Sequence, residues 1–190
     1  MYFCRITIDK NCKMETISNM ITYSRVAISD LPLLKALAKQ VFVESFIAGN
    51  SEENMNAYLD TAFSDEKLTQ ELENAQSQFY FAKMDGKPIG YFKINTGDAQ
   101  TEMKNEPWAE IERIYVIKEC QGKGIGQLMM DEILEICRKM EVTCIWLGVW
   151  EMNKGAIKFY QRNGFTQFDS HVFYVGDDPQ TDWMMKREII

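Results

Sequence analysis

The hexapeptide QGKGIG occupies residues 121–126 and separates a strand-like segment from a helix-like one. Its glycines alternate at Gly122, Gly124 and Gly126. Glycine accepts positive φ and lets the backbone come close to a ligand. The first amides of a helix lack partners and lie at the positive end of its dipole, where anions bind. The loop therefore predicts a diphosphate-binding site, to which Lys123 adds a positive charge.

Three other interpretations of this loop fit less well. A dinucleotide-binding loop reads GxGxxG, whereas the spacing here is GxGxG and residues 118–121 separate the strand from the first glycine. A P-loop needs GxxxxGK followed by Ser or Thr, and the sequence has none. A tight turn would need one or two glycines. Three alternating glycines after Gln121 favour phosphate binding.

Hydrophobic spacing and capping residues predict helices followed by strands before the loop. A helix begins at Ser29 or Asp30, with Pro32 in its first turn. The predicted elements are, in order, a strand (21–26), three helices (29–48, 51–63 and 64–74), an antiparallel hairpin (79–84 and 88–95) and, after a polar segment (96–108), a strand (110–117).

After the loop the pattern becomes α/β. The continuous apolar run from Cys144 to Trp150 is typical of a central strand covered on both faces. The other predicted elements are a helix (125–140), a short helix (153–163) ended by Gly164, and two last strands (165–168 and 183–188). We therefore expect a single domain over 20–190. Residues 1–19 are either an N-terminal extension or precede a true start at Met20.

Composition narrows the classes of function. The chain has 190 residues, 46% apolar and 26% charged, as in one ordinary globular domain. A net charge of −7 argues against nucleic-acid binding and agrees with a cationic substrate, or with solubility alone. No apolar run reaches the roughly 20 residues of a membrane span. Five cysteines without a CxxC pair favour a reducing cytoplasm. A single histidine, His171, argues against a His-based metal cluster or a Ser/His/Asp triad. We expect it to be a surface or satisfied histidine; a proton-transfer role is the alternative.

Three motifs follow one another along the chain in a familiar order. QGKGIG matches Q/R-x-x-G-x-G/A, Ile111–Val116 reads IERIYV, and Asn153 precedes AIKFY and NGF within residues 156–165. These motifs resemble the GNAT superfamily of N-acetyltransferases over about 21–190. The resemblance implies an α/β (α+β) fold with a twisted, mixed and mostly antiparallel sheet of six to seven strands. That sheet would be splayed between strands 4 and 5, with helices on both faces.

The resemblance also implies acetyl-CoA as cofactor. Its pantetheine arm would lie in the splay, paired to the backbone of Ile114, Tyr115 and Val116. Its diphosphate would contact the loop and its borders, which are Gln121, Gly122, Lys123, Gly124, Ile125, Gly126 and Gln127. Asn153 and Tyr160 would border the cofactor from one face of the short helix, two turns apart. Asn153 also fits a helix N-cap, and Tyr160 a core aromatic.

Direct transfer of an acetyl group to an amine in a ternary complex needs a base, an oxyanion donor and an acid. Tyr160 is the predicted acid, since a phenol of pKa about 10 keeps its proton at neutral pH. Glu110 and Glu112 lie two apart on one strand and so share a face. Glu112 is the predicted base, acting through water; orienting a cationic amine or pairing with neighbours of Arg113 are its alternatives. We expect no metal.

Three further stretches resemble a narrower group, the bacterial spermidine/spermine N-acetyltransferases of the Pai type. They are SEENMNAYLDTAF (51–63), IWLGVWE (145–151) and HVFYVGDDPQTD (171–182). This resemblance implies a polyamine substrate. The last stretch holds Asp177, Asp178 and Asp182, which would attract a polyamine or would simply form a solvated acidic loop.

Other acceptors, such as a protein N-terminus or an antibiotic, stay open, as does a non-catalytic acyl-CoA-binding module. The expected partner is a small cationic amine, with no nucleic acid and no membrane. Members of the superfamily often dimerise, so a homodimer also stays open.

Overall fold

The structure, a computed structural model, describes residues 20–46, 59–175 and 178–189. The interpretations of residues 1–19 and of most of the predicted helix 51–63 lie outside them; residues 59–62 are helical. The strands are β1 (Ile21–Arg25), β2 (Ser77–Met84), β3 (Lys87–Thr96), β4 (Trp108–Val116), β5 (Cys144–Trp150), β6 (Thr166–Val175) and β7 (Asp178–Glu188). The helices are α1 (Leu31–Phe46), α2 (Asp65–Glu73), α3 (Ile125–Lys139) and α4 (Lys154–Arg162).

The described strands form one mixed sheet of seven strands in the order β1-β2-β3-β4-β5-β7-β6. Only β4 and β5 are parallel neighbours, and their pairing is restricted to Trp108–Glu110 with Cys144–Trp146. Beyond Glu110, β4 pairs with β3 alone. The two strands therefore separate toward their carboxyl ends, which confirms the predicted fold and its splay. We call the space between them the gap.

A β-bulge in β4 accompanies the gap. Lys93 of β3 pairs with Arg113, but the next residue, Ile94, pairs with Ile111, so Glu112 is the extra residue. A bulge bends its strand and increases the local twist. Since it follows the last β4–β5 pair by two residues, the bulge turns β4 away from β5.

Helices cover both faces of the sheet. Because side chains alternate along a strand, Phe79 and Phe81 of β2 pack with α1 and α2, whereas Ala82 packs with α3. We call these the α1 face and the α3 face. In β5 the residues Ile145, Leu147 and Val149 belong to the α3-face core. Trp146, Gly148 and Trp150 therefore lie on the α1 face.

Local signals place the helices close to their predicted positions. The Ser64 hydroxyl oxygen accepts a hydrogen bond from the Lys67 N–H (3.1 Å) and caps α2. Helix α1 begins at Leu31, directly after a 3-10 turn over Ile28–Asp30. The predicted apolar side of α3 is in the core, which also takes up Met130 and Leu134. In the described part of the chain, no helix combines the length and apolar character needed to cross a membrane.

The last two strands differ from the prediction. They were expected over 165–168 and 183–188, but β6 extends to Val175 and β7 begins at Asp178. Antiparallel pairs such as His171 with Asp182 continue through the acidic tail. The interpretation of the acidic tail as a solvated loop is therefore wrong for the described residues of that tail. Residues 178–182 (DPQTD) have low strand propensity, and the cross-strand pairing that overrides it cannot be seen in one segment.

Candidate active site

The glycine loop has the backbone conformation that its sequence predicts. Gly122 has φ +72° and Gly124, the residue before α3, has φ +84°. Side chains rarely adopt this left-handed region, so both positions favour glycine. Gly126 is helical, and a Cβ there would lie 3.9 Å from the Phe159 ring, which is ordinary contact. Two of the three glycines therefore serve backbone geometry, whereas the position of Gly126 has room for a Cβ.

Unpaired amides line this loop. Within the described part of the chain, the backbone N–H groups of residues 122–126 donate no hydrogen bond. The N–H groups of Gln127 and Leu128 donate to the Gly124 carbonyl at 3.0 and 3.3 Å. Five free donors at the positive end of α3 form an anion cradle. Exposed Lys123 lies in the same loop.

Gln127 contributes a structural contact in addition to its place beside the cradle. Its side-chain amide donates to Asn163 Oδ1 (2.7 Å) and accepts from Asn163 Nδ2 (3.2 Å). Asn163 is the buried C-cap residue of α4. The reciprocal amide pair therefore fixes the start of α3 against the end of α4.

The cradle adjoins the open edge of β4. Gln121 Nε2 donates to the Val116 carbonyl at 3.0 Å, which ties the loop to the last residue of the strand. Ile114, Tyr115 and Val116 pair with β3, and the β4–β5 pairing of the described sheet ends before them, at Glu110. The backbone N–H and C=O groups at such a strand edge are available to hydrogen-bond with a bound chain. An extended chain with amides of its own could pair there while its anionic end lies on the loop.

Asn153 is the residue before α4, and Tyr160 lies within that helix. The Asn153 side-chain oxygen accepts from the Ala156 N–H at 3.0 Å, so Asn153 does cap the helix. The half-buried Tyr160 ring packs edge-on against Phe159 and Phe165, with centroids 5.4 and 5.9 Å away. Burial raises the pKa of Tyr160 to about 12. Its hydroxyl is therefore protonated at neutral pH, as an acid or hydrogen-bond donor requires.

Glu112 is held in a network of ion pairs. Its Oε2 lies 2.5 Å from Lys93 Nζ and 2.6 Å from Asn95 Nδ2, and its Oε1 lies 3.0 Å from Arg113. Glu71 of α2 closes the network, 3.1 Å from Lys93 and 3.4 Å from Arg113. Although burial acts to raise it, Arg113 and Lys93 hold the pKa of Glu112 below its usual value. A paired carboxylate of lowered pKa is a weak base, and the geometry matches the pairing alternative.

Glu110 is buried on the same face and is satisfied differently. It accepts hydrogen bonds from the Thr101 N–H (2.8 Å), the Thr101 hydroxyl (2.6 Å) and Asn95 Nδ2 (3.2 Å). Burial raises the pKa of Glu110, and these hydrogen bonds oppose the rise. Asn95 contacts both Glu110 and Glu112, which confirms that the two carboxylates share a face.

The connection between β3 and β4 crosses the α1 face beside the gap. Gln100 accepts from Trp146 Nε1 on β5 (2.7 Å), and Thr101 holds Glu110 on β4. Glu102 Oε1 lies 2.8 Å from His171 Nδ1 on β6, outside hydrogen-bond geometry. The sequence shows this connection only as a polar segment, because its contacts are made with residues far along the chain.

His171 and Asp182 face each other across β6 and β7. Asp182 Oδ2 lies 4.0 Å from His171 Nε2. Burial raises the pKa of Asp182 to about 6, and His171 opposes the rise. His171 Nδ1 and Asp182 Oδ1 are buried without a hydrogen bond in the described structure. The His171 side chain is 29% exposed and lies between the Glu102 and Asp182 carboxylates. Asp177 lies outside the described residues, as does the side chain of Asp178.

Comparisons with known proteins find a matching family and similar sequences. The sequence profile described as Acetyltransferase (GNAT) family matches residues 41–165. An uncharacterized N-acetyltransferase from Lactobacillus delbrueckii subsp. lactis is 39% identical over 166 residues, which are 87% of this chain and 96% of that protein. The spermidine N(1)-acetyltransferase of Thermoplasma acidophilum is 26% identical over 172 residues, 88% of this chain and 97% of that protein.

A solved structure is similar over the same extent. The PaiA N-acetyltransferase from Thermoplasma acidophilum, crystallised in complex with coenzyme A, matches with a TM-score of 0.73 and 25% identity. The match covers 88% of this chain and 98% of that chain.

Proposed function

The chain belongs to the GNAT family of acetyltransferases, and from this membership we propose that it acetylates a primary amine of a polyamine such as spermidine or spermine. Acetyl-CoA is the acetyl donor throughout the family, and the chain is an acetyl-CoA-dependent N-acetyltransferase. The observation that carries the polyamine proposal is likeness to a spermidine N(1)-acetyltransferase over 88% of the chain. Carboxylates on the α1 face beside the gap suit a polycationic acceptor.

The residues fit acetyl-CoA. The five free amides of residues 122–126, with Lys123, suit its diphosphate. The stretch 114–116, which lies beyond the end of the β4–β5 pairing, suits the amide-containing pantetheine arm. Asn153 and Tyr160 then lie on α4 beside that path. Acetyl-CoA supplies an acetyl group activated as a thioester, and the chain supplies positioning and proton handling.

Tyr160 interacts with the thioester sulfur that leaves the acetyl group. With a pKa of about 12, the phenol stays protonated but is a weaker acid than a thiol of pKa about 8.5. Tyr160 therefore acts first as a hydrogen-bond donor that stabilises charge developing on sulfur. It delivers its proton as that charge forms and recovers one from solvent. An unpaired N–H at the β4 edge stabilises the developing oxyanion.

Glu112 organises the gap in this proposal. Its carboxylate neutralises Lys93 and Arg113 at the bulge, which leaves little basicity for taking a proton from an ammonium group. Glu112 was predicted to act as the base through water. We therefore propose that another group on the α1 face is the base.

An amine panel tests the proposal. Protein, acetyl-CoA and one acceptor at a time are mixed, and free thiol release is followed with spermidine, spermine, propylamine and short peptides. The highest kcat/KM is expected with a polyamine, since its second ammonium adds attraction to the carboxylates. Release confined to peptides would overturn the polyamine assignment. Tight acetyl-CoA binding with no release from any amine would leave only a binding function.

Substitution of Tyr160 tests the proposed chemistry. Tyr160→Phe keeps the ring packing and removes the hydroxyl, so kcat should fall about 10²-fold while acetyl-CoA binding by calorimetry is unchanged. Phe159→Tyr is a matched control on the same helix that keeps the aromatic ring count. An unchanged kcat in Tyr160→Phe would remove the hydroxyl from the mechanism.

We also propose a cytoplasmic location, where acetyl-CoA is available. Cys120, Cys137 and Cys144 are free and buried, as expected in a reducing compartment. Fractionation of cells that express the protein checks this assignment, and recovery with the membrane fraction would contradict it.

A further inference from the structure

Gly148 interrupts the buried run of β5 on the α1 face. Its neighbours Leu147 and Val149 are buried in the α3-face core, whereas Gly148 is exposed. A Cβ at Gly148 would lie 3.3 Å from Asp182 Oδ2 and 3.7 Å from His171 Cε1. The missing side chain therefore leaves a space bordered by a carboxylate and an imidazole.

This space opens beside the gap. The β4–β5 pairing ends at Trp146, and Gly148 follows two residues later on the same face. The opposite side of β5 is closed by core residues. If the acetyl group lies in the gap, as proposed above, the acceptor amine reaches it from the α1 face, past Gly148.

Among the described residues, few titratable side chains on the α1 face are free to take a proton. Glu110 accepts three hydrogen bonds, and Glu112 is paired with Lys93 and Arg113. Among the residues whose side chains the structure describes, the remaining titratable groups that face the space are His171 of β6, Asp182 of β7 and Glu102 of the β3–β4 connection. Of the two imidazole nitrogens, Nδ1 is buried beside Glu102. Nε2 is therefore the nitrogen open to a proton from outside.

We propose that His171 Nε2 takes the proton from the ammonium form of the acceptor amine, and that Asp182 and Glu102 stabilise the imidazolium that forms. This inference rests on the proposed function. His171 is then a catalytic residue, and the two carboxylates are positioning residues. They lie 4.0 and 2.8 Å from opposite nitrogens of the ring and so flank it with negative charge.

The proton and electron pairs balance. One N–H bond of the ammonium group breaks, and its proton moves to His171 Nε2. The freed nitrogen lone pair forms the C–N bond to the acetyl carbon, and the C–S bond breaks with its electron pair on sulfur. Tyr160 delivers a proton to that sulfur, and the acylated nitrogen loses its second proton as the amide forms. The imidazolium and the acylated nitrogen thus give two protons to solvent, and Tyr160 takes one back. Each turnover thus releases one proton.

A pH–rate comparison of three variants tests this role. His171→Gln should lower kcat/KM for spermidine about 10²-fold at neutral pH. The loss should shrink toward pH 10, because an alkylamine of pKa about 10.4 then sheds its proton unaided. Asp182→Asn should lower kcat/KM about tenfold through the imidazole. Val172→Thr, an exposed neighbour on β6, is the matched control and should match the wild type. Acetyl-CoA affinity should be unchanged in all three.

The single histidine gives a readout independent of turnover. Its imidazole signals in a heteronuclear NMR spectrum need no further assignment. Adding spermidine to the protein with coenzyme A should shift those signals. Gly148→Val, which fills the space, should abolish the shift while coenzyme A still binds.

The outcomes separate the two proposals. Spermidine turnover by His171→Gln equal to the wild type, a loss of the same size at every pH, or an unmoved imidazole signal would overturn the role of His171 and leave the polyamine assignment standing. Turnover by the wild type with peptides alone would overturn that assignment, and the same variants compared on the peptide then decide the role of His171.

Discussion

Replacing Glu112 by glutamine distinguishes pairing from base catalysis. The substitution keeps the shape of the side chain and removes its charge. Lys93 and Arg113 lie nearly enclosed, with side chains 4% and 10% exposed, and among the described residues each then retains the Glu71 carboxylate. Among the described residues, Lys93 and Arg113 then share one carboxylate instead of two, and that carboxylate, Glu71, also lies 3.6 Å from Lys67.

The expected cost follows from that residual pairing. Removing one partner of a buried ion pair costs about 3–5 kcal/mol because the other charge is left uncompensated. Glu71 remains 3.1 Å from Lys93, and Glu112 is itself 20% exposed. We therefore expect E112Q to lower the free energy of unfolding by roughly 2–3 kcal/mol, below that range.

Urea unfolding measures this value, and a double-mutant cycle assigns it. Lys93→Met alone leaves Glu112 with Arg113, and the E112Q/K93M pair removes both charges of the 2.5 Å contact. Because the residues touch, the two effects should not add, with a coupling energy of about 1–3 kcal/mol. Glu135→Gln, on the exposed side of α3, is the control and should change stability by less than about 0.5 kcal/mol.

Two results would refute the pairing account. A wild-type urea midpoint for E112Q would mean that the ion pairs contribute nothing to folding. A 100-fold loss of kcat/KM at neutral pH that recovers toward pH 10, at unchanged stability, would make Glu112 the base and displace His171.

Three further predictions concern the core, the loop and the acidic tail. Ile133 of α3 is fully buried, so Ile133→Ala should cost about 2–5 kcal/mol in urea unfolding, whereas a surface value under about 0.5 kcal/mol would contradict its place in the core. Gly124→Ala should cost about 1 kcal/mol of backbone strain at φ +84° and weaken acetyl-CoA binding in calorimetry; Gly126→Ala is the control for strain, and equal stability losses would contradict the argument. Burial raises the pKa of Asp182 from 3.8 to about 6, so the native state binds the proton more tightly and wild-type stability falls as pH rises through that window. Asp182→Asn should therefore be more stable than the wild type at pH 8 and equal to it below pH 4, and a gain that is the same at both pH values would contradict this cause.

The parts of the fold that sequence reasoning predicted are those that local pattern controls. The bounds of β5, Cys144–Trp150, match the prediction at both ends. A continuous apolar run of this length by itself indicates a buried strand. The glycine loop combines backbone conformation and helix start within six residues, so its geometry could also be expected. The family motifs supplied the order of strands and the splay.

The contacts that the sequence did not predict join residues distant in sequence. Glu71 meets Arg113 across 42 residues, and Gln100 meets Trp146 across 46. Neither spacing has a sequence signature, so the sequence left pairing as one of several roles for Glu112 and showed the β3–β4 connection as a plain polar segment. His171 was set aside for the same reason, since its two carboxylates belong to different elements.

The bulge at Glu112, in contrast, has a local signal. Strict alternation from Ile111, which faces the α3 core, would place Arg113 in that core and turn Ile114 out of it. An unpaired charge in the core costs far more than one irregular residue in a strand. The extra residue puts Glu112 and Arg113 side by side on the α1 face and returns Ile114 to the α3 core. Two consecutive charged residues inside an alternating strand thus predict the bulge. Because that bulge turns β4 from β5, the same pair of charges explains why the gap forms where it does.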